Sequence, residues 1–184
     1  PIHYVSSLAV FPVVGHTERV TIDERTSLDH GGILHGGYTQ SKWVAERLVT
    51  AAQARGLPAA IYRPSLVVGD SKSGAWFGDN IVATMLSSWV NLGMAPDIDG
   101  ELDLVPVDYV SRAIVGLLCG CPSPGIYHLN NSRPVKAAQL VDWLGRCGYA
   151  IRKVPYAVWR AEMLRSGEHR CSSRGVGAVR IHHH

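Results

Sequence analysis

Residues 59–68, Ala-Ala-Ile-Tyr-Arg-Pro-Ser-Leu-Val-Val, are mostly apolar and show no alternation. A strand with one face in water alternates apolar and polar side chains. A strand that is apolar throughout is covered on both faces, as in a parallel sheet. Parallel neighbours need a long crossover, and the chain supplies one. Ile2 to Val10 reads as a strand ending in a hydroxyl-bearing stretch, and a helical pattern runs from about Tyr38 to Arg55. Gly56 stops that helix and Leu57-Pro58 prevents its resumption. Strand, helix and strand in this order make a right-handed βαβ unit, so the expected class is α/β with a parallel sheet.

The crossover helix carries the chemistry. Tyr38 and Lys42 are four residues apart, which puts both on one helix face. A free phenol titrates near pH ~10, too high for efficient proton transfer at neutral pH, and a neighbouring ammonium favours the phenolate. A serine from Val5-Ser6-Ser7-Leu8-Ala9-Val10-Phe11, brought beside the tyrosine, would hold a substrate carbonyl oxygen for protonation. The spacing also predicts an apolar stripe of Trp43, Val44, Leu48, Ala51 and Ala52 packed on the sheet, with Glu46 and Arg47 facing outward. A lone Y-x-x-x-K arises by chance on many helices, so the weight rests on its place between two strands.

Further along, Asp79 is expected to open a helix through Ile81, Val82, Met85, Leu86, Trp89 and Val90, closed by Gly93. Asp97, Asp99, Glu101 and Asp103 read as a solvated turn, since the spacing lacks the rest of a calcium loop. Val105–Val107 reads as a strand and Asp108 as the cap of a helix from Tyr109 to Cys119. Ile126–Asn130 and Ile151–Val154 read as strands, and helices are expected at Val135–Cys147 and from Pro155 to about Arg165. Gly69-Asp70-Ser71 is a turn. Arg63 suits either an anionic ligand or an ion pair, and Trp76 and Phe77 suit either a substrate pocket or the core.

The 184 residues suffice for one domain with a sizeable core. With 46% hydrophobic and 18% charged residues they have the composition of a soluble globular protein. No apolar run reaches the ~20 residues of a membrane span, and no signal peptide is evident. The net charge of +3 comes without a basic cluster or interleaved aromatics, which argues against nucleic acid. Cys119, Cys121, Cys147 and Cys171 fit no zinc spacing and suit buried or free thiols in a reducing cytoplasm. Residues 168–184 lack periodicity and end in three histidines, so they are expected to be a disordered or foreign tail with a purification-tag remnant.

The Ser-bearing strand, Tyr38-Thr39-Gln40-Ser41-Lys42 and the strand after it resemble the extended short-chain dehydrogenase/reductase superfamily. Val67-Val68-Gly69-Asp70-Ser71-Lys72-Ser73-Gly74, Gly78-Asp79-Asn80 and Leu104-Val105-Pro106-Val107-Asp108-Tyr109-Val110 narrow the resemblance. It is to the thioester reductase domains of nonribosomal peptide synthetases and carboxylic acid reductases, and it runs from about Ile2 to Leu118, more weakly to Arg165. The resemblance implies NADPH-dependent release of an acyl or peptidyl thioester as aldehyde or alcohol. The thioester would be held on the phosphopantetheine arm of a carrier domain. Ser7, three before Val10, would hold the carbonyl oxygen, with Ser6 the weaker candidate. Tyr38 would donate the proton, and Lys42 would lower its pKa and bind the nicotinamide ribose. Pro64, Ser65 and Leu66 would run beside the nicotinamide, and no metal is implied.

The superfamily's G-x-x-G-x-x-G phosphate loop is not found in these residues. The resemblance therefore implies that residues 1–167 are the C-terminal part of such a domain, a Rossmann-like doubly wound parallel sheet with a small helical substrate-side subdomain, holding only the nicotinamide side of the cofactor site. An exposed sheet edge would then invite self-association. Two other readings stay open. One is a nucleotide-sugar epimerase or dehydratase of the same superfamily; the other is a noncatalytic, truncated domain that binds a carrier protein.

Overall fold

The computed structural model describes residues 1–11, 21–29, 34, 36–76, 80–120 and 124–170, with side chains described to 166. In chain order the elements are β1 (Ile2–Val5), a 3-10 turn (Leu8–Val10), α1 (Gly37–Ala54), β2 (Ala59–Pro64), β3 (Leu66–Val68), α2 (Ile81–Leu92), β4 (Met94–Pro96), β5 (Glu101–Leu102), β6 (Leu104–Pro106), α3 (Val107–Cys119), β7 (Gly125–Leu129), β8 (Val135–Lys136), α4 (Ala137–Arg146), β9 (Arg152–Val154) and α5 (Tyr156–Arg170). They divide into two compact units, one of Pro1–Val67 with Leu104–Ser132, the other of Val68–Asp103 with Arg133–His184.

The first unit is built around β2. It pairs parallel with β1, from Ile2 opposite Ala59 to Val5 opposite Tyr62. On its other side it pairs parallel with β7, from Ala60 opposite Gly125 to Pro64 opposite Leu129. All six residues of β2 are buried, as a strand apolar on both sides requires. Ala60, Tyr62, Val105, Val110 and Leu129 form the core on which Ala113, Ile114 and Leu117 of α3 pack. A second cluster gathers Val10, Phe11 and Leu28 against Leu8 and Trp43. It anchors residues 21–29 of the long connection before α1, helped by the Trp43 indole donating to the Leu28 carbonyl at 3.2 Å.

Several sequence expectations change. β1 ends at Val5 instead of Val10 because Ser7 caps the Leu8–Val10 turn, its Oγ accepting from the Ala9 N–H at 3.1 Å. The apolar run 59–68 is two strands, β2 and β3, broken after Pro64, and β3 pairs with β6. Asp108 lies inside the first turn of α3, behind Pro106 at the cap position, and its carboxylate meets Arg112 at 2.8 Å. Asn80 caps α2, accepting from the Val82 N–H at 2.8 Å, and Ile81 at the helix start is 74% exposed. Asp79 and Phe77 lie outside the described residues.

The largest change is the rotation of α1. Val44, Leu48 and Ala51, expected on the packed stripe, are exposed, whereas Glu46, expected outside, is wholly buried. The inward face carries Lys42, Ala45, Glu46, Val49, Ala52 and Gln53. The cause lies in β2. Arg63 is 1% exposed in the middle of the sheet, and an unpaired buried charge costs several kcal/mol. Glu46 supplies the counter-charge: its Oε1 accepts from Arg63 Nε at 2.9 Å and from Nη2. Arg63 Nη1 reaches His128 Nε2 at 3.2 Å, and the guanidinium lies over the Phe11 ring at 4.9 Å. Arg47 is exposed as expected and pairs with Asp29.

In the second unit β4 pairs parallel with β9 and β5 antiparallel with β8. Gly93, in the left-handed region at φ 61°, closes α2 and leads directly into β4. Leu140, Val141 and Leu144 form the buried stripe of α4. Glu101 belongs to β5, and α4 starts at Ala137 because Val135 and Lys136 form β8. α5 continues to Arg170, and residues 171–184 lie outside the described residues. Among the described residues, no helix is long and apolar enough to cross a membrane. Cys119 and Cys147 are free and exposed.

Two measurements check this description. Asn80→Ala removes the α2 cap and should lower stability by about 1 kcal/mol in urea titration, while Asn80→Gly should cost only a few tenths. The second concerns His128, whose pKa is held below its ordinary 6.5, first by burial and also by Arg63, against the opposing pull of Glu24, Asp23 and Glu46. A depressed histidine is neutral when folded, so its stabilising contribution is complete above about pH 6.5 and is lost as pH falls toward the folded value. His128→Gln keeps an acceptor for Arg63 but does not titrate. It should flatten the fall in urea stability between pH 7.5 and 5.5, and an unchanged slope would remove His128 from that dependence.

Candidate active site

In a βαβ unit the crossover helix runs antiparallel to its strands, so the N-terminus of α1 lies at the C-terminal ends of β1 and β2. Open α/β sheets bind ligands there. Lys42 Nζ donates to the Val5 carbonyl at the end of β1, at 2.9 Å. The same ammonium lies 5.5 Å from the centre of the Tyr4 ring. Tyr38 stands one turn nearer the helix start and is 61% exposed. Tyr4 itself is a second phenol in this group. Its pKa is raised above 10.0, first by burial and then by Glu46 and Tyr38.

The two serines have separate surroundings. Ser6 continues the ladder, its N–H donating to the Tyr62 carbonyl at 2.7 Å, and its hydroxyl donates to Glu46 Oε2. Ser7 is 9% exposed and uses an oxygen lone pair as a cap, which leaves its proton uncommitted among the described residues. Ser7 and Tyr38 are not hydrogen-bonded to one another.

Pro64, Ser65 and Leu66 follow at the end of β2, next to β1 in the sheet. The Ser65 N–H donates to the Leu129 carbonyl at 3.1 Å, while its Oγ is buried without a hydrogen-bond partner. A buried orphan hydroxyl costs free energy unless something supplies the missing bond. A polar group entering at this strand end would supply it, so the residues fit the amide-bearing side of a nicotinamide. Trp76 is half-buried and belongs to the other unit; Phe77 lies outside the described residues. Asp70 is a turn residue as expected, its Oδ1 accepting from Ser73 N at 2.7 Å and Lys72 N at 3.1 Å.

Of the two readings of Arg63, the ion pair is the one found, but sequence reading missed Glu46 as its partner, the links to Ser6 and His128, and Tyr4. A signal for the pair was present. Glu46 continues the spacing of Tyr38 and Lys42 by one further turn, and Arg63 is a charge in a strand with no wet face.

Comparison with known proteins places this geometry. The chain is 36% identical to a component of the linear gramicidin synthase of Brevibacillus parabrevis over 160 residues, covering 86% of this chain and 3% of that protein. It is 37% identical to isonitrile lipopeptide synthase of Streptomyces coeruleorubidus over 180 residues, covering 97% of this chain and 12% of that protein. Among solved structures, the terminal R domain of the myxalamid PKS-NRPS pathway is 41% identical with a TM-score of 0.83, covering 92% of this chain and 43% of that one. The chain thus spans a small part of the curated relatives and under half of that solved domain. Residues 1–114, well over half of the 184, match the NAD-binding family described as male sterility protein, and the chain belongs to that family.

Proposed function

We propose that the reductase of which these residues form part reduces a carrier-bound acyl or peptidyl thioester to an aldehyde or alcohol with NADPH. The observation supporting this most directly is the Lys42 ammonium seated at the end of β1, one helical turn from the exposed Tyr38 phenol. NADPH supplies hydride to the carbonyl carbon when bound. Ser7 donates its uncommitted proton as a hydrogen bond to the carbonyl oxygen. Tyr38 delivers a proton to that oxygen as negative charge develops on it, with the Lys42 ammonium one helical turn away; the C–S bond of the resulting hemithioacetal then breaks, releasing the carrier thiol and leaving the aldehyde. Donors aimed at a developing oxyanion are each worth roughly 2.7–4 kcal/mol. Lys42 and the Ser65 hydroxyl would hold the ribose and carboxamide on the nicotinamide side. A phosphopantetheine-linked carrier domain is the matching partner. The relatives named above are a linear gramicidin synthase component and an isonitrile lipopeptide synthase.

Tyr38→Phe in the complete reductase keeps the ring and removes the donor. It should lower aldehyde formation by about 100-fold or more while NADPH affinity stays near the parent value. Lys42→Ala should damage both turnover and cofactor binding. Near-parent turnover by Tyr38→Phe would mean that the proton comes from another group.

The 184-residue chain alone should bind NADPH too weakly to detect at micromolar concentration. Most of the cofactor's charge lies on its phosphates, and the G-x-x-G-x-x-G pattern expected to meet them is not found in this sequence. Calorimetric titration decides this, and tight binding would place a phosphate site within the present residues.

A further inference from the structure

Tyr38, Lys42 and Glu46 are spaced one turn apart on a single stripe of α1. The outer end of the stripe is exposed, the middle is seated on the Val5 carbonyl, and the inner end is wholly buried. That inner end is fastened in two directions. Glu46 Oε1 holds Arg63 of β2, and Oε2 holds the hydroxyl of Ser6, directly before Ser7. Ser6 is also tied through its own N–H to β2. A single carboxylate thus links the helix carrying the phenol and ammonium, the central strand and the turn carrying the second hydroxyl. A buried ion pair is weak as a source of stability, because apolar residues of similar volume often serve as well. What apolar residues lack is direction: they do not fix the angle of a helix about its axis, and Val44 and Leu48 show that apolar content alone points α1 the other way.

We propose that Glu46 and Arg63 are positioning residues that set the rotation of α1, so that Lys42 sits at the end of β1 and Tyr38 stands one turn beyond it on the same stripe. Neither touches substrate or cofactor; each acts through Lys42, Tyr38 and the Ser6–Ser7 turn. The assignment rests on the proposed catalytic role of those residues.

The test uses Glu46→Gln, Arg63→Lys and the double substitution Glu46→Leu with Arg63→Met. In the 184-residue chain, the rate at which an amine reagent labels Lys42 is read by peptide mapping. The exposed Lys72, Lys136 and Lys153 serve as internal references. In the complete reductase, kcat, KM and the melting temperature are measured on the same variants. The double variant should keep a cooperative melt near the parent temperature, label Lys42 faster relative to the references, and lose about 10- to 100-fold in kcat with little change in KM. In labelling and kcat, Glu46→Gln, which keeps the shape and an acceptor for Ser6, should fall between it and the parent, while its melting temperature falls below both because Arg63 is left uncompensated. A folded variant with parent labelling and parent kcat overturns the proposal, as does loss of the melting transition in all three variants, which would make the pair structural. Tyr38→Phe runs alongside: if it keeps parent turnover, the catalytic reading fails and Lys42 labelling alone decides the positioning.

Discussion

The ion pair between Glu46 and Arg63 dictates how the first unit can be assembled. Arg63 lies in a strand paired on both sides, with its side chain 1% exposed and that of Glu46 fully buried. Removing two charges from water costs several kcal/mol each, and the cost is offset only where the remaining hydrogen-bonding capacity is met. Here it is met widely. The carboxylate accepts from the guanidinium and from Ser6, while the guanidinium also reaches His128 and covers the face of Phe11. Cutting one member leaves a buried, uncompensated charge, a loss of the order of 3–5 kcal/mol. The groups held by this pair come from the segment after β1 (Ser6 and Phe11), α1, β2 and β7, so the pair ties together the elements that surround the candidate site.

Hydrophobic periodicity revealed the order of elements because long elements average out single exceptions. The buried run at 59–64, the helix from Tyr38 and the parallel pairing of the strands flanking it were legible for that reason. Rotation of the helix was not legible, since periodicity scores Glu46 as a water-seeking residue and Val44 and Leu48 as buried ones. The contrary signal was a single residue, Arg63, whose demand for a partner can be read only when its strand is taken to be dry on both sides. Asp108 was misread for a related reason. An Asp before a helical run fits both the cap and the first turn, and Pro106 holds the extended conformation that the cap position needs.

Short elements fared worst. The two- and three-residue strands β4, β5, β8 and β9 carry too few side chains to establish a period, and their pairing is set by tertiary placement. The candidate site was legible in its Tyr38–Lys42 pair, which needs only helical spacing. Tyr4 under the Lys42 ammonium was not, because that contact crosses from a strand to a helix and depends on the same rotation. The burial of Ser65 was equally invisible, since an orphan hydroxyl is defined by its surroundings and not by its type.

The adjacent serines show how one rotation assigns two similar residues to different tasks. Successive side chains of an extended segment point to opposite sides, so Ser6 and Ser7 cannot both face α1. With Glu46 turned inward, Ser6 becomes its donor and gives up its only proton. Ser7 then turns the chain out of the sheet by accepting from Ala9, a bond that consumes a lone pair and leaves the proton. Had α1 packed on Val44 and Leu48, Glu46 would face water and Ser6 would keep its proton. The end of β1 would then present two uncommitted protons in place of one. The buried carboxylate thereby selects between the two hydroxyls without lying at the exposed end of the site.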